Sequence, residues 1–375
     1  MSGRGRVVVA MSGGVDSSTA AYLLKAQGYE VVGLFMRTGV TVAEEAGGRR
    51  CCSLADAEDA RRVARHLDIA FYAVNCKAEF DRLIEDFCTE YRRGRTPNPC
   101  VRCNTELKFG KLLRYAQALE AQHVATGHYA RVDRRGRRWV LRRGMDPAKD
   151  QSYFLFGLEQ GQLARALFPL GELTKAEVRA RARDARLPVH EKPESQDICF
   201  VPESSYRTLL EERLGPSKPG KLVDMAGEVL GEHPGCAGFT VGQRRGLGIA
   251  MGEPYYVVAI QPETNTVVVG PEAALYARTC YVRALVWGAL SGLRLPRAAQ
   301  VQIRYQHQAA PGSICPTGVG EVGVQFAEPQ RAITPGQAAV FYDDDVVLAG
   351  GWIDRVVRPS TGSGRPEAAG GRDFG

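Results

Sequence analysis

Three short stretches of this chain carry side chains whose types and spacing could do chemistry. Near the start, Val7, Val8 and Val9 lead into Ala10-Met11-Ser12-Gly13-Gly14-Val15-Asp16-Ser17-Ser18. The β-branched triplet reads as a buried strand. Ser17 to Leu24 reads as the first turns of a helix, with Ala20, Ala21, Leu23 and Leu24 apolar. A strand, a Gly-rich turn and a helix N-terminus make an anion site. The glycines let the backbone approach phosphate oxygens, and the free N–H groups and the positive end of the helix dipole face the ligand. Ser12, Ser17 and Ser18 add hydroxyl donors. The turn lacks the lysine of G-x-x-x-x-G-K-[ST] and is not G-x-G-x-x-G.

The second stretch is P-N-P-C-V-R-C-N, with Cys100 and Cys103, and the third is I-C-F, with Cys199. All three cysteines are expected on loops, where chemistry concentrates. Cys103 has Arg102 beside it and is expected to open the next helix, with Asn104 as the cap. A helix N-terminus and a nearby cation both favour thiolate, which nominates Cys103 as a nucleophile. Local sequence says nothing of activation at Cys199. A C-x-x-C and one distant Cys supply three thiolates. Structural zinc wants four ligands, and the second pair is missing. Three cysteines could instead hold an iron–sulfur cluster with one iron open. A thioredoxin-like redox pair is disfavoured by the two preceding prolines. Cys76 and Cys88 read as core residues, and Cys51, Cys52, Cys236, Cys280 and Cys315 as inert.

The elements that must position these groups follow from periodicity. Val31 to Met36 and Ile69 to Val74 read as strands, 38–50 as a loop, and Asp56 to Leu67 as a helix. Glu79 to Arg92 is a helix with Phe80, Leu83, Ile84, Phe87 and Tyr91 on one stripe. R-T-P-N-P breaks it, since two prolines in three residues cannot continue a helix. Glu106 to Glu120 is expected to be helical, and His123 to Thr126 a strand that ends in Gly127-His128-Tyr129. Strands alternating with amphipathic helices imply a doubly wound parallel sheet, with ligands beyond the carboxyl ends of its strands. The glycine loop, Met36 and Gly127-His128 all fall at such ends.

Arg131 to Arg143 holds seven Arg and one Asp and reads as a hairpin turning at Arg135-Gly136. Such a run suits phosphate contacts or a solvated hairpin, and charge alone leaves both open. Thr174 and Glu177 form a capping box for a helix to about Arg186, and Pro188 ends it. Residues 189–205 read as a loop holding Cys199. From Pro216 the chain turns to short glycine-rich strands: Lys221–Asp224, Phe239–Val241, Tyr255–Ile260 and Thr266–Val269. A third section, 276–357, is again β-like, with Val301–Tyr305, Gly323–Phe326, Ala338–Tyr342 and Val346–Ala349. The expected division is a nucleotide-binding domain over 1–205, a small β domain over 206–275, a barrel-like β domain over 276–357 and a disordered tail over 358–375.

Composition sets the outer bounds. The chain has 375 residues, enough for two or three domains, with 44% hydrophobic and 24% charged residues,. No run is long enough to cross a bilayer and no secretory h-region leads the chain, so the cytoplasm is the expected compartment. Ten cysteines in such a chain read as reduced, catalytic or metal-binding,. A net charge of +7 is too mild to establish nucleic-acid binding.

S-G-G-x-D-S resembles the pyrophosphatase-type loop (PP-loop) of enzymes that cleave ATP between its α and β phosphates and form adenylates. In order, S-G-G-V-D-S-S, G-L-F-M, R-T-P-N-P-C-V-R-C-N, A-T-G-H-Y, K-D-Q-S-Y-F-L, I-C-F and G-Q-R-x-G-L-G-I resemble the tRNA-specific 2-thiouridylases over roughly residues 6–355. The resemblance implies ATP- and Mg²⁺-dependent replacement of the wobble uridine 2-oxygen by sulfur. Ala10, Met11, Ser12, Gly13, Gly14, Val15, Asp16, Ser17, Met36 and Gly127 would hold ATP, with Asp16 near the Mg²⁺. Asn98, Pro99 and Cys100 would meet the flipped base. Cys103 would be the nucleophile and Cys199 the carrier of a persulfide loaded by a donor protein. His128, Lys149, Asp150, Gln151, Arg304, Tyr305 and Gln337 would contact tRNA. Many members have Asp where this chain has Cys100. With Cys100 present, Cys100, Cys103 and Cys199 match the ligand set of tRNA thiolases that use a [4Fe–4S] cluster. Two other classes share parts of the pattern. Other PP-loop enzymes, such as a tRNA lysidine synthetase, would account for the loop alone, and a non-enzymatic RNA-binding protein would keep it as a relic.

Overall fold

The protein is described here by a computed structural model, which covers residues 4–39, 53–194, 198–201 and 206–358. The expected loop over 38–50 falls mostly outside the described residues. So do Cys51, Cys52 and all but Arg358 of the tail.

A five-stranded parallel sheet opens the chain, in the order β3 (Ala70–Asn75), β2 (Glu30–Arg37), β1 (Arg6–Ala10), β4 (His123–Ala125) and β7 (Ala166–Leu167). Val8 sits in register with Val32 on one side and Val124 on the other. The chain leaves β1 to build β2 and β3, then returns to pair β4 on the opposite side. The strand order therefore reverses between β1 and β4, which is where such sheets bind ligands. Val7, Val8 and Val9 are fully buried because both faces are covered,. One face carries the helices Val15–Ala26, Leu54–His66 and Lys175–Asp184. The other carries Lys77–Arg92 and a helical segment from Pro99, and its core runs on to Ala338, Val340, Tyr342 and Val347 of the last domain.

The capping box at Thr174 forms as the sequence predicts, with Thr174 and Glu177 exchanging hydrogen bonds. Ser53 and Asp56 make a second one that caps Leu54–His66. The helix expected over Glu106–Glu120 is different. Helical backbone is continuous from Pro99 to Ala118, and its middle, Cys103–Lys111, is a π-helix. Periodicity cannot reveal this, because a π segment shifts the apolar stripe without erasing it.

The hairpin of β5 (Ala130–Arg135) and β6 (Arg138–Arg143) turns where expected. It extends the sheet of the last domain, with Arg142 in register with Val346. Its arginines serve mainly as internal glue. Arg131 and Arg142 each lie 2.6 Å from Asp345, and Arg143 lies 2.8 Å from Asp150 with its guanidinium over the Tyr342 ring.

The middle domain is a four-stranded sheet, ordered β10 (Tyr255–Gln261), β11 (Thr266–Pro271), β8 (Gly220–Val223), β9 (Val229–His233). The strand expected over Phe239–Val241 is absent. A 3₁₀ turn over Cys236–Gly238 drops Phe239 into the core instead. Helix Tyr206–Leu214 and strand β9 were not legible, the second because Gly231 interrupts its alternation.

The last domain is a closed six-stranded barrel: β12 (Tyr276–Trp287), β15 (Glu321–Arg331), β14 (Ala310–Gly318), β13 (Arg297–Gln302), β16 (Ala338–Asp343) and β17 (Val346–Val357), with β17 pairing back to β12. Strand β13 stops at Gln302, short of the expected Tyr305. Arg304 and Tyr305 lie in the turn that follows, where Gln306 adopts φ +60°.

Candidate active site

The glycine loop joins β1 to helix Val15–Ala26 at the β1/β4 reversal. Ser17 Oγ accepts from the Ser12 amide at 3.1 Å and lies 3.2 Å from Ser12 Oγ, and Ser18 Oγ donates to the Gly14 carbonyl at 2.8 Å. Glycine is required at position 13. Its φ is +74°, and a Cβ there would sit 2.2 Å from the Asp56 carbonyl oxygen,. Gly127 closes the loop from β4, where a Cβ would come within 2.7 Å of the Asp16 and Ser17 backbone. Met36 is half-buried at the end of β2, and Met11 is buried, its sulfur against Gly33.

Charged groups absent from the sequence reading organise this loop. Lys192 Nζ donates to the Gly13 carbonyl at 3.1 Å and to Asp56 and Asp59 at 2.7 and 2.6 Å. Asp16 accepts from the Tyr129 hydroxyl at 2.8 Å and from Lys175 Nζ at 2.7 and 2.9 Å. Lys175 also lies 3.0 Å from Glu194, which Lys149 meets at 2.7 Å. Lys192 and Glu194 precede Cys199 in K-P-E-S-Q-D, and Tyr129 closes A-T-G-H-Y. Those stretches were the available signal, but only the fold shows which side chains turn toward the loop.

His128, next to Gly127, is buried. Lys108 donates to its Nε2 at 3.3 Å, so Nδ1 carries the proton and donates to Thr126 Oγ1 at 2.7 Å. Burial, helped by Lys108, pulls its pKa well below that of an ordinary histidine and keeps the ring neutral,. Asp150 accepts from Arg143, from the Gly144 and Ser152 amides and from the Ser152 hydroxyl, and Gln151 Oε1 accepts from the Tyr129 amide.

The R-T-P-N-P stretch is held by the barrel. Gln337 Nε2 donates to the Thr96 and Pro97 carbonyls at 3.0 and 3.3 Å, and the Thr96 amide donates to the Pro335 carbonyl at 2.9 Å. Gly336 admits this contact, since a Cβ there would lie 2.9 Å from Thr96 N. Asn98 and Pro99 are buried at the start of the helical segment, followed by half-buried Cys100 and Cys103. Tyr305 packs against Phe154 with ring centroids 4.4 Å apart and the rings tilted by 39°. Burial is the main cause that raises the Tyr305 pKa, opposed by the Lys149 ammonium. Arg304 donates to the Arg331 carbonyl at 3.0 Å.

The helix N-terminus expected to activate Cys103 is not where the sequence placed it. Cys103 is not at a helix N-terminus, because the helical segment begins a turn earlier and the Cys103 amide donates back to the Pro99 and Cys100 carbonyls. Asn104 is not a cap; its amide donates to the Phe154 carbonyl at 3.0 Å. Arg102 is engaged by Glu106 and Asp86. Cys103 packs against the core that also receives Cys199, whose neighbour Phe200 is clamped between Phe80 and Phe87. Cys76 is buried in the same core, and its thiol is pushed up to about 11, mainly by burial. Among the described residues, no three His, Cys, Asp or Glu side chains are gathered so as to hold a metal ion. Cys100, Cys103 and Cys199 therefore do not form, as arranged, the cluster ligand set that the resemblance suggested.

A nucleotide-alpha-hydrolase-like parallel domain followed by two β domains, with a pyrophosphatase-type loop at the strand reversal, defines the class. Family models match across all three parts: a tRNA methyl transferase HUP domain over 5–203, a tRNA methyl transferase PRC-barrel domain over 207–271 and an aminomethyltransferase β-barrel domain over 277–353. The chain is 51% identical to the tRNA-specific 2-thiouridylase MnmA of Geotalea uraniireducens (strain Rf4), covering 96% of this chain and 97% of that one. It is 49% identical to that of Koribacter versatilis (strain Ellin345), over 92% and 98%, and 51% identical to that of Geobacter metallireducens, over 94% and 97%. The chain belongs to the tRNA-specific 2-thiouridylase family and is a sulfur-transferring enzyme of that family.

Proposed function

We propose that this enzyme uses ATP to thiolate C2 of the wobble uridine in tRNA anticodons. The observation that carries the reading is the unbroken chain of contacts from Tyr129 through Asp16, Lys175 and Glu194 to Lys149, which links the nucleotide loop to the K-D-Q-S-Y stretch. A uridine carbonyl is a poor electrophile because oxide is a poor leaving group. Attack of O2 on the α-phosphate of ATP expels pyrophosphate and leaves O2 bonded to AMP. The loop amides and Ser12 and Ser17 bind the departing pyrophosphate. Asp16, a hard oxygen donor beside the phosphate seat, would hold Mg²⁺, which supplies charge neutralisation there.

Cys199 carries the sulfur as a persulfide received from a donor protein. Either its terminal sulfur attacks C2 directly, after which the Cys103 thiolate attacks the Cys199 sulfur, breaks the S–S bond and leaves the outer sulfur on C2, or Cys103 attacks the persulfide first and frees hydrogen sulfide to attack C2. AMP leaves with O2, and a Cys103–Cys199 disulfide remains, which a two-electron thiol reductant reopens. Asn98, Pro99 and Cys100 line the seat of the base, which must leave its stack to reach it. Tyr305 and Phe154 offer a pair of aromatic rings against which a base could pack. His128, Lys149 to Gln151, Arg304 and Gln337 complete the RNA-facing set. Among the described residues no helix is long and apolar enough to cross a membrane, and we place the reaction in the cytoplasm, where tRNA is.

Thiolation of a tRNA transcript with ATP and a persulfide donor tests this reading. Cys103→Ser and Cys199→Ser should each abolish 2-thiouridine while leaving ATP binding intact. Thiolation retained in both variants overturns it.

A further inference from the structure

The densest cluster of charge beside the glycine loop surrounds Glu194. Lys149 lies 2.7 Å from its carboxylate, Lys175 3.0 Å and Arg179 3.8 Å. Its side chain is only 26% exposed. Burial works to raise its pKa, yet hydrogen bonds from Lys149 and Lys175 hold it below the usual carboxylate range. Lys175 is shared with Asp16 of the glycine loop. Three cations thus converge on one carboxylate at the edge of a turn built to receive anionic oxygens.

We propose that Glu194 is an internal anion occupying the seat of the nucleotide's pyrophosphate moiety, and that Lys175 and Arg179 pass from it to the β- and γ-phosphates. The inference rests on the use of ATP set out above and extends it to Glu194, Lys175 and Arg179. Without an anion, Lys149, Lys175 and Arg179 would repel one another beside the positive end of helix Val15–Ala26. Glu194 supplies one negative charge and two acceptor oxygens. A triphosphate supplies several of each, so it displaces the carboxylate while the cations stay in place.

The same side chain then couples two ligands. Lys149 belongs to the stretch proposed to meet tRNA, and it holds Glu194 Oε2 while Lys175 holds Oε1. Pyrophosphate entry releases Lys149 for an RNA phosphate. An RNA phosphate on Lys149 loosens Glu194 for pyrophosphate. Linkage makes the two effects equal.

Inorganic pyrophosphate titrated calorimetrically onto the full chain, without tRNA, tests the seat. Glu194→Gln should bind it about tenfold more tightly, since displacing a neutral amide forfeits one ion pair fewer. Lys175→Ala and Arg179→Ala should bind it more weakly. Glu191→Gln, on a neighbouring side chain 88% exposed, should match wild type. Saturating tRNA should tighten pyrophosphate binding to wild type and have no such effect in Glu194→Gln. The wild-type coupling can be read even if that variant folds poorly. Unchanged or weakened pyrophosphate binding in folded Glu194→Gln, or no coupling in wild type, overturns the proposal. Because this titration involves no uridine chemistry, its failure is distinct from a failure to thiolate tRNA.

Discussion

Gln162 should control the geometry of Cys103 although it lies far from it in sequence. The π-helix over Cys103–Lys111 closes i→i+5 rings, which are individually poorer than α-helical ones,. The Gln162 amide nitrogen donates to the Thr105 carbonyl at 2.9 Å and to the Phe109 carbonyl at 3.0 Å, bridging one turn of that segment. Gln162→Ala removes two half-buried hydrogen bonds. At about 1 kcal/mol net for each, the loss is ~2 kcal/mol, set against a segment whose alternative is an ordinary α-helix. A return to α geometry would rotate and shift Cys103 relative to Cys100. A displacement of ~1 Å at a reacting atom is enough to lower a rate by about 100-fold. Single-turnover thiolation should therefore fall by one to two orders of magnitude, while equilibrium binding of a non-cleavable ATP analogue stays at the wild-type value. Amide hydrogen exchange over 103–111 should accelerate in parallel. Wild-type thiolation together with wild-type exchange in that segment would refute the reasoning.

Two further outcomes follow from the geometry. Gly13→Ala forces a left-handed backbone onto a residue with a side chain, at ~1–2 kcal/mol, and its Cβ would strike the Asp56 carbonyl 2.2 Å away; binding of the ATP analogue should be lost in an otherwise folded protein, as judged by near-UV circular dichroism. Burial depresses the pKa of His307 to about 4 and that of His128 well below the ordinary value. The unfolded chain then binds protons first, so the histidine contribution is fully present above pH ~6.5 and is lost as pH falls toward 4. The urea midpoint should drop between pH 7 and pH 5, and His307→Asn should flatten part of that drop.

Much of the site was legible because it is local. The strand–loop–helix over residues 6–26 rests on a β-branched run, two glycines and an apolar helix face, all adjacent in the chain. The alternation of strands and helices alone puts the glycine loop, Met36 and Gly127 at the carboxyl ends of the parallel strands. Where the reading went astray, a distant partner was the reason. Cys103 reads as a helix opener because prolines precede it, but Gln337 and Gly336 of the barrel hold Thr96 and Pro97 so that the helix can begin at Pro99. Phe239 looks like part of a strand, but it is worth more as a core plug beneath β8 and β11. Charge alone leaves the arginines of 131–143 between phosphate contacts and a solvated hairpin, and neither reading includes Asp345, more than two hundred residues on, which takes up two of them.

The sequence by itself determined the class of chemistry: an anion-binding turn, a hydroxyl set, and three cysteines of which the fold then put Cys100 and Cys103 on a helical segment rather than a loop. Those properties depend on residue type and short spacing, which no later folding alters. Tertiary structure alone decided which charges face the loop. Lys175 reaches Asp16 across 159 positions and Lys192 reaches Gly13 across 179. Coulomb attraction acts through space at a few ångströms, and chain order carries almost no information about such distances until the sheet has brought its strand ends together.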